Sequence, residues 1–226
     1  MQSREKVIQP YAAGDLTPHL MLLGDYAKMI PTSTLLAKKG ESASNDVAML
    51  KGLRLVTAAE SEAGRYLAEG LIKQITGGDE LSARFLFQEY FSFVAECKIF
   101  FATNHRPKIK GSDDGTWRRM RAIPFTQQFR DPREYPNTPE HLRKDPNLRE
   151  KLVRELSGIL AWAVKGCLLW QQEGLVPPAI VAAATAEYRA EMDVLAAFLD
   201  DACIVGKKER CLASELYQAF HTRCEE

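Results

Sequence analysis

Residues 97–125 read CKIFFATNHRPKIKGSDDGTWRRMRAIPF, and the fold turns on how this stretch is parsed. The short apolar run Ile99-Phe100-Phe101-Ala102 ends abruptly in Thr103, Asn104 and His105, as a buried strand does when it delivers polar side chains at its tip. After a turn at Gly111-Ser112-Asp113-Asp114-Gly115 comes the basic segment Trp117-Arg118-Arg119-Met120-Arg121, then a second apolar run, Ile123-Pro124-Phe125. An amide at a strand tip followed by an arginine pair suits a site that handles phosphate, because Asn can orient a water and Arg can neutralise developing charge. The same residues also suit a plain loop start and a solvated face, and short motifs alone do not separate these readings.

Composition sets the outer bounds. With 226 residues, 46% of them apolar and 27% charged, the chain can bury a real core as one large domain or as one domain with a small appendage. Lysine plus arginine and aspartate plus glutamate number 30 each, so overall charge does not point to a nucleic-acid partner. Its distribution is more informative, since Arg106, Lys108, Lys110, Arg118, Arg119 and Arg121 are opposed locally only by Asp113 and Asp114. The five cysteines, Cys97, Cys167, Cys203, Cys211 and Cys224, are widely spaced and form no metal-ligand pattern with the four histidines. They read as buried thiols of a reducing compartment. No apolar run approaches the ~20 residues needed to cross a bilayer, and Met1-Gln2-Ser3-Arg4-Glu5-Lys6 does not lead into a signal-peptide core. A cytoplasmic protein with no membrane partner is the expectation.

Working back from Cys97, residues 1–20 are expected to be irregular, because Pro10, Gly14 and Pro18 break any pattern. Leu20 to Leu23 reads as the end of a helix closed by Gly24, and Asn45-Asp46 as the cap of a short helix running to Leu50. Gly52 to Ala59 has the look of a buried strand, followed at once by Glu60-Ser61-Glu62. Two carboxylates at a strand end suit a divalent cation or an activated water; they equally suit the acidic first turn of a helix. A helix is expected from about Gly64 to Ile75, with Tyr66, Leu67, Leu71 and Ile75 on one stripe, stopping at Thr76-Gly77-Gly78-Asp79. Alternation of Leu81, Ala83, Phe85 and Phe87, and again of Phe91 and Phe93, predicts a β-hairpin.

Beyond Phe125, Thr126 to Asp145 is polar, contains Pro132, Pro136 and Pro139, and reads as a long surface loop or linker. Asp145-Pro146 starts a long helix to about Gln171, whose apolar face, from Leu148 through Leu152, Leu156, Ile159 and Leu160 to Cys167, is expected to be buried. A further helix from Ala179 to about Cys203 and a final one carrying Leu212, Leu216, Tyr217 and Phe220 complete the pattern. Early strands and late helices argue for an α/β part followed by a helical appendage.

Five blocks, taken together, resemble the helicase part of the phage and plasmid primase-helicases, a branch of the superfamily 3 helicases that includes the poxvirus-type enzymes. They are Leu22 to Ala27, Arg54 to Glu62, Ile72 to Asp79 with Ala83-Arg84, Phe100 to Pro107, and Trp117 to Phe125. Their order over roughly residues 20–125 carries the resemblance; the tail, with Glu187-Tyr188-Arg189 and Leu216 to Phe220, matches less specifically. The resemblance implies a partial AAA+-like, P-loop NTPase core over 21–130 with a β-hairpin, and a mainly helical region over 131–226 that could begin a winged-helix tail. It implies ATP and Mg2+ as cofactors, a homo-oligomeric hexameric ring, single-stranded DNA, and other replication proteins as partners. By position, Glu60 would be the acid near the metal and the attacking water, with Glu62 in support, and Asn104 the sensor amide at the γ-phosphate. Arg118, or secondarily Arg119, would be the arginine finger reaching a neighbour's nucleotide. Lys73 and Arg84 would contact DNA through a region that delivers a hairpin to the ring channel, and Lys108 and Lys110 of the basic patch are further DNA-contact candidates.

One departure matters. The family carries a loop of the form G-x-x-x-x-G-K-[ST] shortly before the Leu22–Ala27 block, with its lysine about where Ala12 stands, yet no Gly-Lys-Ser or Gly-Lys-Thr occurs in this sequence. Such a loop cradles the β- and γ-phosphates with backbone N–H groups and one lysine. The expectation is therefore an incomplete member of the family that hydrolyses ATP poorly by itself. The alternative is a non-catalytic module that binds single-stranded DNA or a replication partner.

Overall fold

The strand Leu55–Ala59 (β2) is flanked on both sides by parallel partners, which is why Val56, Thr57 and Ala58 are all fully buried. A computed structural model describes residues 17–38, 45–59, 63–110, 114–207 and 209–225. The partners of β2 are Ala27–Met29 (β1) on one edge and Lys98–Ala102 (β5) on the other, giving the order β1-β2-β5. A separate antiparallel pair joins Glu80–Ala83 (β3) to Phe91–Val94 (β4). The result is a mixed α/β structure with a parallel sheet and several helices, compatible with a P-loop-like core.

By contact, the described residues within 1–111 and 124–177 form one compact unit, and those within 112–123 and 178–226 form another. The first unit contains both sheets and the helices Thr17–Leu23 (α1), Asn45–Ala48 (α2), Glu69–Gly77 (α3), Leu148–Arg154 (α5) and Leu156–Glu173 (α6). The second contains Asp114–Trp117 (α4), Ala179–Met192 (α7), Val194–Ala202 (α8) and Ala213–Glu225 (α9).

Several local expectations are met. Gly24 closes α1 with φ +52°, a left-handed angle open to glycine. The buried strand before residue 60, the strand after Cys97 and the hairpin are all present. The short strand β1 escaped the pattern because three residues are too few to show a period. It exists because β2 supplies its hydrogen bonds, through Ala27↔Leu55 and Met29↔Thr57.

Four expectations are corrected. The helix expected from Gly64 begins only at Glu69. Tyr66 and Leu67 are extended instead: the Leu67 amide donates to the Lys108 carbonyl at 2.8 Å, the Lys108 amide donates to the Arg65 carbonyl at 2.7 Å, and the Ala68 amide donates to the Leu35 carbonyl at 2.9 Å. Those inter-segment bonds win over a first helical turn whose own amides have no partner. Ile72 and Ile75 are the residues that α3 buries, and Gly78, at φ +81°, ends it in the left-handed conformation.

The long helix after Asp145 is broken at Glu155 into α5 and α6, and its apolar face is not buried. From Leu160 to Glu173 every residue is exposed, with Trp162 at 74% and Trp170 at 52%. Among the described residues of this unit, the main packing partners of α6 are α1 and α5. A helix apolar on all sides cannot bury them against two short neighbours. Likewise the helix from Ala179 breaks at Asp193, whose carboxylate caps α8 by accepting from the Ala196 amide at 2.9 Å.

The cysteines are also not uniformly buried. Cys97 is buried, Cys203 is half-buried, and Cys167, Cys211 and Cys224 are exposed. The long segment from Thr126 to Asp145 is a surface loop, as expected, but it is pinned across its own base: the Arg130 amide donates to the Leu142 carbonyl at 2.9 Å and the Lys144 amide returns to the Arg130 carbonyl at 2.8 Å. Within it, hydrogen bonds from Arg133 hold the Asp131 carboxyl down at about 2.

Two measurements check this description. A depressed carboxyl favours the folded loop above its ordinary pKa near 3.8, and that contribution is lost as pH falls towards about 2. The Asp131 carboxyl resonance should accordingly titrate near 2, and a midpoint at its ordinary value would show that the Arg133 bonds do not form. Burial pushes the Cys97 thiol up from its ordinary pKa, so a thiol reagent at pH 8 should label Cys167, Cys211 and Cys224 promptly and Cys97 only after unfolding.

Candidate functional site

Parallel pairing lines up strand ends. The register Leu55↔Lys98 through Ala59↔Ala102 sets the last residues of β2 and β5 side by side at the carboxyl end of the sheet. Ligands of open parallel α/β sheets bind at that end. Asn104 lies two residues past Ala102 and is exposed. Its backbone is held by a local turn, in which the His105 amide donates to Thr103 Oγ1 at 3.1 Å and that hydroxyl donates to the His105 carbonyl at 2.7 Å. From the β1 side, the Thr32 hydroxyl donates to the Ala59 carbonyl at 2.6 Å and ties the loop after β1 to the end of β2.

Glu60 and Glu62, expected beside the metal and the water, lie outside the described residues. Among the described residues no group of three or more His, Cys, Asp or Glu side chains could hold a metal ion, and no helix is long and apolar enough to cross a membrane.

The arginine segment belongs to the second unit. Trp117, 5% exposed, meets the ring of Tyr188, 4% exposed, edge to face with centroids 5.2 Å apart. Arg189 Nη2 reaches Asp114 Oδ1 at 2.6 Å, and the Ala122 amide donates to Thr185 Oγ1 at 3.0 Å. Residues 114–122 therefore ride on α7. Asp114 and Thr185 carried no functional signal in the sequence, and Tyr188 and Arg189 carried only the less specific match of the tail, because their spacing becomes meaningful only once α7 packs on this segment.

The two arginines differ. Arg119 is half-buried and donates from Nη1 to the Gly115 carbonyl at 2.6 Å, stapling its own turn. Arg118 is exposed, and its carbonyl accepts from Arg121 Nη1 at 3.1 Å. An exposed guanidinium on a braced backbone can reach outward; one already bonded to its own turn must first let go.

The basic candidates Lys73, Arg84, Lys108 and Lys110 all fall in the first unit. Lys73 is half-buried on α3. Arg84 follows β3 at the base of the hairpin tip, with its guanidinium 4.9 Å from the centroid of the Tyr90 ring. The hairpin is two-faced. Phe93 is buried, and Phe91 stacks between Phe85 and Phe93 at 5.6 and 5.7 Å. At the tip Leu86, Phe87 and Tyr90 are exposed, with Phe87 at 97% and at φ +63°. That is an uncommon angle for an aromatic residue. Lys108 and Lys110 flank buried Ile109 and lie beside Tyr66.

No protein-family model matches the chain. It is similar to three viral proteins: "Putative helicase L207/L206" of Acanthamoeba polyphaga mimivirus (34% identical, 79% of this chain and 20% of that protein), "Putative helicase 022R" of Frog virus 3 (28%, 88% and 22%), and "Putative helicase 184R" of Invertebrate iridescent virus 6 (28%, 67% and 18%). The chain spans about a fifth of the length of these relatives. These likenesses support a helicase-like family.

If Trp117 anchors the arginine segment as its burial implies, Trp117→Ala should lower the unfolding free energy of its unit by about 3 kcal/mol in urea. Trp162→Ala, at a site 74% exposed, should change stability by less than about 0.5 kcal/mol.

Proposed function

We propose that the chain is a segment of an ATP-dependent DNA-unwinding replication protein of the primase-helicase type, within superfamily 3. The observation that carries this reading is the β2–β5 register, which sets Asn104 at the carboxyl end of a parallel sheet, in a chain similar to viral proteins named helicases. Bound ATP with Mg2+ would supply the phosphoryl chemistry. An exposed amide at that sheet end fits a γ-phosphate sensor that orients water, and Glu60, next after Ala59 in the sequence, would be the acid beside it, supported by Glu62. Arg118 would neutralise charge on the nucleotide of a neighbouring subunit in a homo-oligomeric ring, with Arg119 bracing it; its exposure supports that division of roles.

Single-stranded DNA would meet Arg84 and the exposed aromatic residues of the hairpin tip, with Lys73, Lys108 and Lys110 adding charge. A second reading, a module that binds single-stranded DNA or a replication partner without hydrolysing ATP, is favoured by one observation: no Gly-Lys-Ser or Gly-Lys-Thr is present to cradle phosphates. For this chain alone the two readings share one expectation.

By itself the chain should turn ATP over no faster than background, and robust turnover that vanishes in Glu60→Gln would overturn the missing-cradle argument. Binding to a labelled oligonucleotide should weaken linearly in log–log form with salt, and Arg84→Ala should make that slope shallower by about 0.7, the contribution of one phosphate contact on a single strand. No binding at low salt would remove the nucleic-acid reading.

A further inference from the structure

Sequence periodicity assigns Tyr66 to a helix face, and no role in the proposed site calls for it. In the structure it is the centre of a small basic-aromatic surface. Tyr66 is in extended backbone, paired in parallel with Lys108 through a bridge whose hydrogen bonds are 2.7 and 2.8 Å long. Main-chain atoms make that bridge, so it does not depend on the tyrosine ring. Tyr66 as a whole is 38% exposed, while the next residue, Leu67, is buried at 5%.

Across from it the sequence Lys108-Ile109-Lys110 alternates. Ile109, 4% exposed, points into the core, and both lysines are exposed. The Lys110 amide donates to Glu69 Oε1 at 2.8 Å, which fixes the end of this segment against α3. Lys110 Nζ stands 4.7 Å and Lys108 Nζ 5.9 Å from the ring centroid. Among the described residues neither ammonium is paired with a carboxylate. Two residues apart on an extended backbone, the lysines are about 6.6 Å apart along the chain, so they can bracket the phosphates on either side of one nucleotide.

We infer that Tyr66, Lys108 and Lys110 form a nucleic-acid contact separate from the hairpin tip, in which a single-stranded base stacks on Tyr66 while its flanking phosphates take the two ammonium groups. A ring with two cations beside it combines the two attractions that sequence-tolerant single-strand sites use, base stacking and backbone charge. A purely acidic partner would use the lysines and gain nothing from an exposed aromatic face. The lysine stems are long and flexible, so their ammonium groups can move from the ring to phosphate as a base arrives. This inference rests on the nucleic-acid reading above and adds to it a stacking residue.

The test is fluorescence anisotropy of a labelled oligothymidylate, across a salt series, with the whole chain and its variants. Tyr66→Ala should weaken binding about tenfold without changing the salt slope, Tyr66→Phe should bind like the parent, and Lys108→Ala and Lys110→Ala should each reduce the slope by about 0.7. On an abasic strand of equal length the Tyr66→Ala effect should disappear. Retained protection of Cys97 from a thiol reagent shows that a variant has kept its fold. Parent binding with an unchanged affinity in Tyr66→Ala would overturn the stacking contact while leaving the nucleic-acid reading intact. A Tyr66→Ala effect equal on normal and abasic strands, or displacement by polyglutamate as effective as by unlabelled oligonucleotide, would overturn it in favour of a charge-only surface. No binding by the parent at low salt would instead fail the underlying reading.

Discussion

The parallel pairing of β2 with β5 is the constraint on which the first unit depends. Both strands are short, and neither would persist alone in water. Their register, from Leu55↔Lys98 to Ala59↔Ala102, decides which residues leave the sheet together. A parallel pair cannot be joined by a tight turn, so the chain between them must cross over, and it uses α3 and the β3–β4 hairpin to do so. The crossover that makes the pairing possible is thus also the segment that carries the exposed aromatic tip. Burial of Val56, Thr57 and Ala58 holds β2 in the centre, and the loop after β1 is tied to its end through Thr32.

A different set of contacts governs the arginines. Residues 114–122 sit far closer in sequence to β5 than to α7, yet the Trp117–Tyr188 pair, the Asp114–Arg189 ion pair and the Ala122–Thr185 bond assign them to the helical unit. Of these, the buried aromatic contact contributes most, because the ion pair is exposed and such pairs are worth little singly. Any displacement of α7 would carry Arg118 with it. The proposed sensor and the proposed finger thus belong to separate compact units of one chain, an arrangement in which sensing and charge neutralisation can be set by different structural elements.

The surface carries two kinds of exposed apolar residue, and they differ in meaning. At the hairpin tip and at Tyr66, aromatic rings stand beside Arg84, Lys108 and Lys110, the combination on which the proposed nucleic-acid contacts rest. Along α6, Leu160, Trp162, Val164, Leu168, Leu169 and Trp170 are exposed with one cation, Lys165, among them. That helix has the composition of a core element, whereas the cation-flanked rings have the mixed composition that the proposed contact uses.

Much of this was legible from residue order. Alternation in Leu81 to Phe93 specified a hairpin; the abrupt change at Thr103 marked a strand tip; and Gly24 and Gly78 marked helix ends, while the roles suggested for Asn104, Arg118, Lys73 and Arg84 came with the family resemblance. Hairpin, strand tip and helix ends are local properties, set by side-chain period and backbone sterics within a few residues, and so a one-dimensional pattern records them. The rest depended on which segments meet. The Arg65–Ala68 stretch could have wound into α3, and only the main-chain bonds offered by Leu35 and Lys108 made it extended, which is what turned Tyr66 from a helix-face residue into an exposed residue beside two lysines. Apolar periodicity from Leu148 to Cys167 announced a helix but not its surroundings, since burial depends on the neighbours available. Local sequence thus determined most of the elements and the residue types at their tips, and tertiary packing alone decided that Asn104 stands at the end of a parallel sheet, that Arg118 travels with α7, and that Tyr66 faces outward, because hydrogen bonds and buried contacts between distant segments have no counterpart in local periodicity.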